Sequence, residues 1–238
     1  MSAAVRFLAG FCREHPLDEK IFVAPSFVTG RQIGNALARE AGSWVNLRFV
    51  TMPALAAEIL EKCGGAGAAK PMTSSAELAL TDRLVRELAA AGELEYLGRG
   101  GVSPGLVGAL HRAMRDLRLD GRSSADIRPE RFLIERKGRE LVQLTERYER
   151  ALDAGGLLDL PGLLGRALGA SARTPFGSAW ILSPMDARLS RLEAELVRTA
   201  ASGRLVLVPG DPVVGLERPR RCWPLPGPAD LCRAGRLS

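Results

Sequence analysis

With 238 residues the chain can hold one large α/β domain, or one domain with a sizeable insertion, and 46% apolar residues exclude a disordered polymer. The formal charge of +6 is carried by arginine far more than by the four lysines (Lys20, Lys62, Lys70 and Lys137); on charge alone a well-solvated basic surface is favoured over the sharper reading, contact with phosphate. Cys12, Cys63, Cys222 and Cys232 have no CxxC or Cys/His ligand spacing, no apolar run is long enough to span a bilayer, and the N-terminus lacks a signal peptide's order, so a reduced, cytoplasmic setting without membrane is expected.

Residues 3–14 read as a short helix with Val5, Leu8, Phe11 and Cys12 on one face, ended by Pro16. Lys20–Pro25 is a compact apolar run of the kind buried in parallel sheets, and a helix from Arg31 to Ala41, stopped by Gly42, follows the turn at Ser26–Gly30. A second strand at 47–51 and a helix over 53–63, opened by Pro53, complete strand, helix, strand, helix, which is half of a doubly wound sheet. The small-residue stretch 64–71 marks a boundary.

Beyond it the strand signal disappears for about a hundred residues. Helical periods cover 74–91 (with Glu77 placed to support the N-cap), 104–119, 130–154 (Leu133, Leu141, Leu144 and Tyr148 on the apolar stripe) and 157–168. Strand character returns at 179–182 and 205–209, on either side of an amphipathic segment with Leu189, Leu192, Leu196 and Val197 on one face, which is the order of a parallel crossover. An insertion of helices into one α/β domain accounts for this order. Residues 217–238 hold four prolines and no period, and read as an extended tail.

The chemistry at the strand ends is sparse. No GxxxxGK[ST] is present, and Pro25–Arg31 offers one glycine with Phe27 and Val28 where amides would have to converge on phosphate. Asp186 and Asp211 each follow a strand and could face one another as metal ligands, or serve as helix-entry and turn residues. Arg112, Arg115 and Arg118 recur at helical spacing beside His111; such a stripe is either a solvated face or a track for phosphates.

The order of these segments resembles the first motor domain of UvrD-like superfamily-one DNA helicases. It is still more similar to the degenerate copy in the B subunit of AddAB-type (RexAB-type) ATP-dependent helicase–nucleases. The residues that carry the resemblance are Ile21-Phe-Val-Ala-Pro-Ser26 with Gly30-Arg-Gln32, Leu47-Arg-Phe-Val-Thr51 and the helix after it, Tyr148–Leu152 with Gly156-Leu-Leu-Asp159-Leu-Pro-Gly-Leu-Leu164, and the runs at 180–196 and 205–212.

The resemblance implies a RecA-like parallel sheet with helices on both faces and an inserted all-helical subdomain: 1–66 and 173–216 as the halves of the sheet domain and 67–172 as the insertion, while the proline-rich tail, 217–238, fits nothing in the family. It places Ser26, Arg31 and Thr51 near single-stranded DNA; the arginine stripe, not the resemblance, adds Arg112 and Arg115 as candidates on the helical block. Where the family holds magnesium and senses nucleotide, this chain has Ser183-Pro184 for the acid pair, Asp186 and Asp211 nearby, Val213 or Val214 for the glutamine, and Gly162 for the second acid of the Asp159 segment. The implied protein binds DNA and hydrolyses nothing itself. ATP and Mg2+ are expected only in a partner motor of the AddA type, in double-strand-break repair. Two other readings stay open: an active ATPase with an unorthodox phosphate site at Pro25–Arg31, and a structural docking fragment.

Overall fold

The computed structural model describes residues 2–42, 44–63, 70–173 and 177–210. In chain order the elements are α1 (Ala3–Glu14), β1 (Lys20–Ala24), α2 (Phe27–Ala41), β2 (Leu47–Thr51), α3 (Met52–Lys62), β3 (Lys70–Pro71), α4 (Ser74–Ala90), α5 (Pro104–Leu119), α6 (Glu135–Gly155), β4 (Leu157–Leu158), α7 (Leu160–Arg173), β5 (Trp180–Pro184), α8 (Arg191–Ala201) and β6 (Leu205–Val208). They fall into two compact units, residues 1–66 with 166–238, and residues 67–165. The expectations for the 64–69 linker, for Asp211, Val213 and Val214, and for the 217–238 tail concern residues outside the described ones.

The first unit is α/β. Its sheet has the order β2-β1-β5-β6 with every pairing parallel, and all five residues of β1 are buried, as a central parallel strand requires. On one face Phe22 and Ala24 of β1 and Leu182 of β5 meet Val5, Leu8 and Cys12 of α1 and Leu37 of α2. Helices α3 and α8 pack against the strands and against each other. α2 begins at Phe27, one turn earlier than the period suggests, because Ser26 caps it: the Thr29 N–H donates to Ser26 Oγ at 3.1 Å. Gly30 then lets α2 lie close on the sheet, since a methyl there would fall 3.1 Å from Phe49 Cβ and 3.3 Å from Ala24 Cβ.

The opposite, amino end of the sheet is held by Lys20, which is wholly buried. Its ammonium donates to the carbonyls of His15 and of Asp18, the latter at 2.6 Å. Two carbonyl partners offset the cost of burying the charge. Trp180 completes this end: its indole N–H donates to Asp18 Oδ2 at 3.1 Å, and Phe11 stands edge-on to its ring at 5.5 Å. The Trp180 hydrogen bond, followed by that from His15, holds the Asp18 carboxyl below its ordinary range.

The second unit is helical apart from a two-stranded parallel pair, β3 with β4 (Lys70↔Leu157, Pro71↔Leu158), which the sequence periods do not reveal. Its core joins α4, α5 and α6 through Leu84, Val85, Leu88, Leu110, Met114, Leu144 and Tyr148. Three expectations are corrected here. Glu77 does not support the cap of α4, which Thr73 provides; its carboxylate is buried and accepts the Leu160 N–H at 3.0 Å. The helix predicted from Glu130 starts only at Glu135, because Pro129–Arg131 forms a 3-10 turn. Leu133, expected on the apolar stripe, consequently lies outside the helix and fully in solvent. Gly156, at φ +58°, ends α6 in the left-handed conformation, which glycine adopts at little cost.

Candidate functional site

In an open parallel sheet the loops leaving the carboxyl ends of the strands converge, and ligands bind there. Here β1 ends into Ser26, β2 ends at Thr51, and the two are neighbours in register Ala24↔Thr51. Ser26 is exposed, its Oγ 2.9 Å from Thr29 Oγ1. Thr51 is the N-cap residue of α3 but makes no side-chain cap bond, so its hydroxyl is not committed to the helix. Arg31, on the first turns of α2, is exposed and has no ion pair among the described residues.

β5 lies on the other side of β1, and its end carries the residues expected at a metal site. Ser183 is 1% exposed and its hydroxyl has no hydrogen-bond partner among the described residues, so it sits within the sheet rather than on its rim. Asp186 is exposed in the turn that follows, and β6 runs beside β5 in register Pro184↔Val208. The Asp186 carboxylate rests on Gly210: a methyl there would lie 2.9 Å from Asp186 Oδ2. The adjacency of the two strand ends was the expectation behind pairing Asp186 with Asp211, and it holds as far as Gly210. Among the described residues no three His, Cys, Asp or Glu side chains converge as metal ligands would.

Ser183→Ala is expected to raise stability by about 1 kcal/mol, because it removes a buried hydroxyl that makes no bond. Thermal unfolding of the variant checks this, and a loss of more than that amount would mean that the hydroxyl has a partner.

Sequence reasoning missed the apolar side of this edge. Phe27 (69% exposed), Val28 (62%) and Met185 (61%) all follow the ends of the two central strands. The signal was present in the sequence, since large side chains beside a strand end are either buried or offered to a ligand, and Phe27 and Val28 were read only as obstacles to phosphate.

Arg112 and Arg115 belong to the other unit. Arg112 is exposed. Arg115 is half-buried, 4.0 Å from the carboxylate of Glu77. The third arginine of the stripe is corrected outright: Arg118 donates through Nε and Nη2 to both oxygens of Asp159, at 2.9 and 3.1 Å, and through Nη1 to Glu149 at 3.0 Å, all inside the unit. His111 is likewise no surface group. It lies 3.3 Å from Thr81 Oγ1 and 3.8 Å from Glu77, and burial pushes its imidazole pKa down. Burial, followed by the charges of Asp159 and Glu77, pushes the Tyr148 phenol up.

These geometries define an α/β unit with hydroxyl, guanidinium and exposed aromatic groups at one sheet edge, and a helical unit with an apolar core beside which Glu77, Arg118 and Asp159 are buried or nearly so against polar partners. Compared with known proteins, the chain matches no family model and no curated protein.

Proposed function

We propose that the chain is a nucleic-acid-binding module of helicase type that does not hydrolyse nucleotide. In this reading the parallel sheet is RecA-like, the helical unit is its insertion, and the protein works on DNA ends beside an A-type motor, as B subunits of AddAB-type helicase–nucleases do. The observation that carries the reading is the carboxyl edge of β1 and β2. Ser26 and Thr51, at adjacent strand ends, are the N-cap residues of α2 and α3 there, with Arg31 and the exposed ring of Phe27 on the first turns of α2. Hydroxyls and first-turn amides suit phosphate oxygens, the guanidinium supplies charge, and an exposed ring gives a base a surface on which to stack.

The same edge does not fit a magnesium-bound triphosphate. Phe27 and Val28 occupy the turn where amides would cradle phosphate, and Ser183 offers a buried hydroxyl where a carboxylate would be needed. ATP and Mg2+ therefore belong to the partner motor in this proposal.

Fluorescence anisotropy with labelled single-stranded DNA over a salt series tests it. Micromolar or tighter binding is expected at low salt, weakening linearly with the logarithm of salt concentration, and Arg31→Gln should lower that slope by about one. Affinity weaker than micromolar and indifferent to salt would reject the reading. DNA-stimulated ATP hydrolysis by the isolated chain would replace it with an active ATPase. Capture of an A-type subunit without any DNA affinity would replace it with a docking fragment.

A further inference from the structure

Leu133 is the most exposed large apolar residue of the described chain, at 102%, and Ile134 beside it is exposed as well. One residue earlier, Phe132 packs against the core of the helical unit. The loop that carries them is firmly based. The Phe132 N–H donates to the Pro129 carbonyl at 3.0 Å, and Pro129 and Phe132 press on α6 at Gly138, where a methyl would meet Pro129 Cα at 2.7 Å. Two aliphatic side chains thus stand in water on a fixed support, an arrangement that burial against a partner would relieve.

The surroundings indicate the chemistry of that partner. Glu140 of α6 accepts the N–H groups of Tyr96 and Leu97, each at 2.8 Å, and Arg136 pairs with Glu95. Those bonds bring Tyr96 to the start of α6, on the same end as Leu133. The Arg99 guanidinium lies over the Tyr96 ring, 5.7 Å from its centre. Arg131 and Lys137, on either side of Leu133, are exposed and have no ion pair among the described residues.

We propose that this end of the helical unit engages nucleic acid where a duplex opens into single strands. Leu133 enters the terminal base step as a wedge, the Tyr96–Arg99 pair stacks on a released base, and Arg131 and Lys137 hold the flanking phosphates. The proposal rests on the nucleic-acid reading above but uses none of the residues of the sheet edge. A bilayer is the less fitting partner. An interfacial anchor needs a continuous apolar face, whereas here two adjacent aliphatics are flanked by Glu130 and Glu135.

The test uses the full chain and a forked DNA with 2-aminopurine at the first paired position, with anisotropy read from a label on the free strand. Binding of the wild type should raise the 2-aminopurine emission, and Leu133→Phe should preserve the rise. Leu133→Ser, at a position that contributes no packing, should abolish it and weaken fork binding about tenfold. Fork binding with the same rise in Leu133→Ser overturns the wedge and leaves the sheet-edge reading standing. Absence of any DNA binding overturns both. Leu133-dependent partitioning onto phosphatidylserine vesicles, with no emission change on DNA, overturns the wedge in favour of a bilayer contact.

Discussion

Arg118→Met is expected to destabilise the helical unit by about 3–5 kcal/mol, the range seen when one partner of a buried ion pair is removed. Asp159 is buried, and both its oxygens depend on the guanidinium fork. Asp159 Oδ1 also accepts the Gly162 N–H at 2.9 Å, so the same carboxylate holds the first turn of α7. Glu149 receives Arg118 on one side and the Ser124 hydroxyl on the other, at 2.6 Å. Without the guanidinium two carboxylates would face each other in a poorly solvated interior. Arg118→Lys should rescue little, because a single ammonium cannot present two parallel donors to Asp159. Arg118→Met with Asp159→Asn should recover part of the loss, since the uncompensated charge goes. Urea unfolding followed by circular dichroism, with hydrogen exchange at the Gly162 amide, reads all three. Arg112→Met, at an exposed site, should stay within about 0.5 kcal/mol of wild type. If Arg118 served a phosphate track instead, Arg118→Met would lower DNA affinity and leave stability unchanged.

The second large effect is expected at Gly138, in the first turns of α6. Alanine favours a helix over glycine by up to about 1 kcal/mol. At this position the added methyl would come within 2.7 Å of Pro129 Cα and 2.8 Å of the Phe132 ring. The ring can turn aside, but the backbone of the 3-10 turn cannot yield without lifting the loop, so overpacking outweighs propensity and Gly138→Ala should cost about 2–3 kcal/mol. The loop's seat should also loosen, which faster hydrogen exchange at the Phe132 amide would register. A Gly138→Ala protein as stable as the wild type would show that the turn does not bear on the helix.

Much of the sheet was legible beforehand. The runs at 20–25, 179–182 and 205–209 are mainly apolar without alternation, which is how strands of a parallel sheet read, and with 47–51 they form one parallel layer in the structure. The helix stop at Gly42 was readable for a similarly local reason, because the residue that ends a helix is chosen by backbone conformation. Ser26 and Thr51 could be placed at strand ends by counting.

What failed has one cause. Glu77, His111 and Arg118 are polar, and a sequence period assigns polar residues to the surface. Each is instead buried or nearly so against a partner distant in sequence. Leu133 failed in the opposite direction. Its spacing fits the stripe of α6, but Pro129 starts a tighter turn, and the phase of the helix is lost before it reaches residue 133.

The sequence by itself determined the parallel α/β character, the helical block between the strands, and the lack of a phosphate loop, because burial period and turn chemistry are local properties of the chain. Tertiary structure alone decided which arginine is sealed inside and which remain outside, how the ends of β5 and β6 meet at Asp186 and Gly210, and that Phe27, Met185 and Leu133 face water. Those outcomes depend on what packs over a residue from elsewhere in the chain, and no spacing within a single segment contains that information.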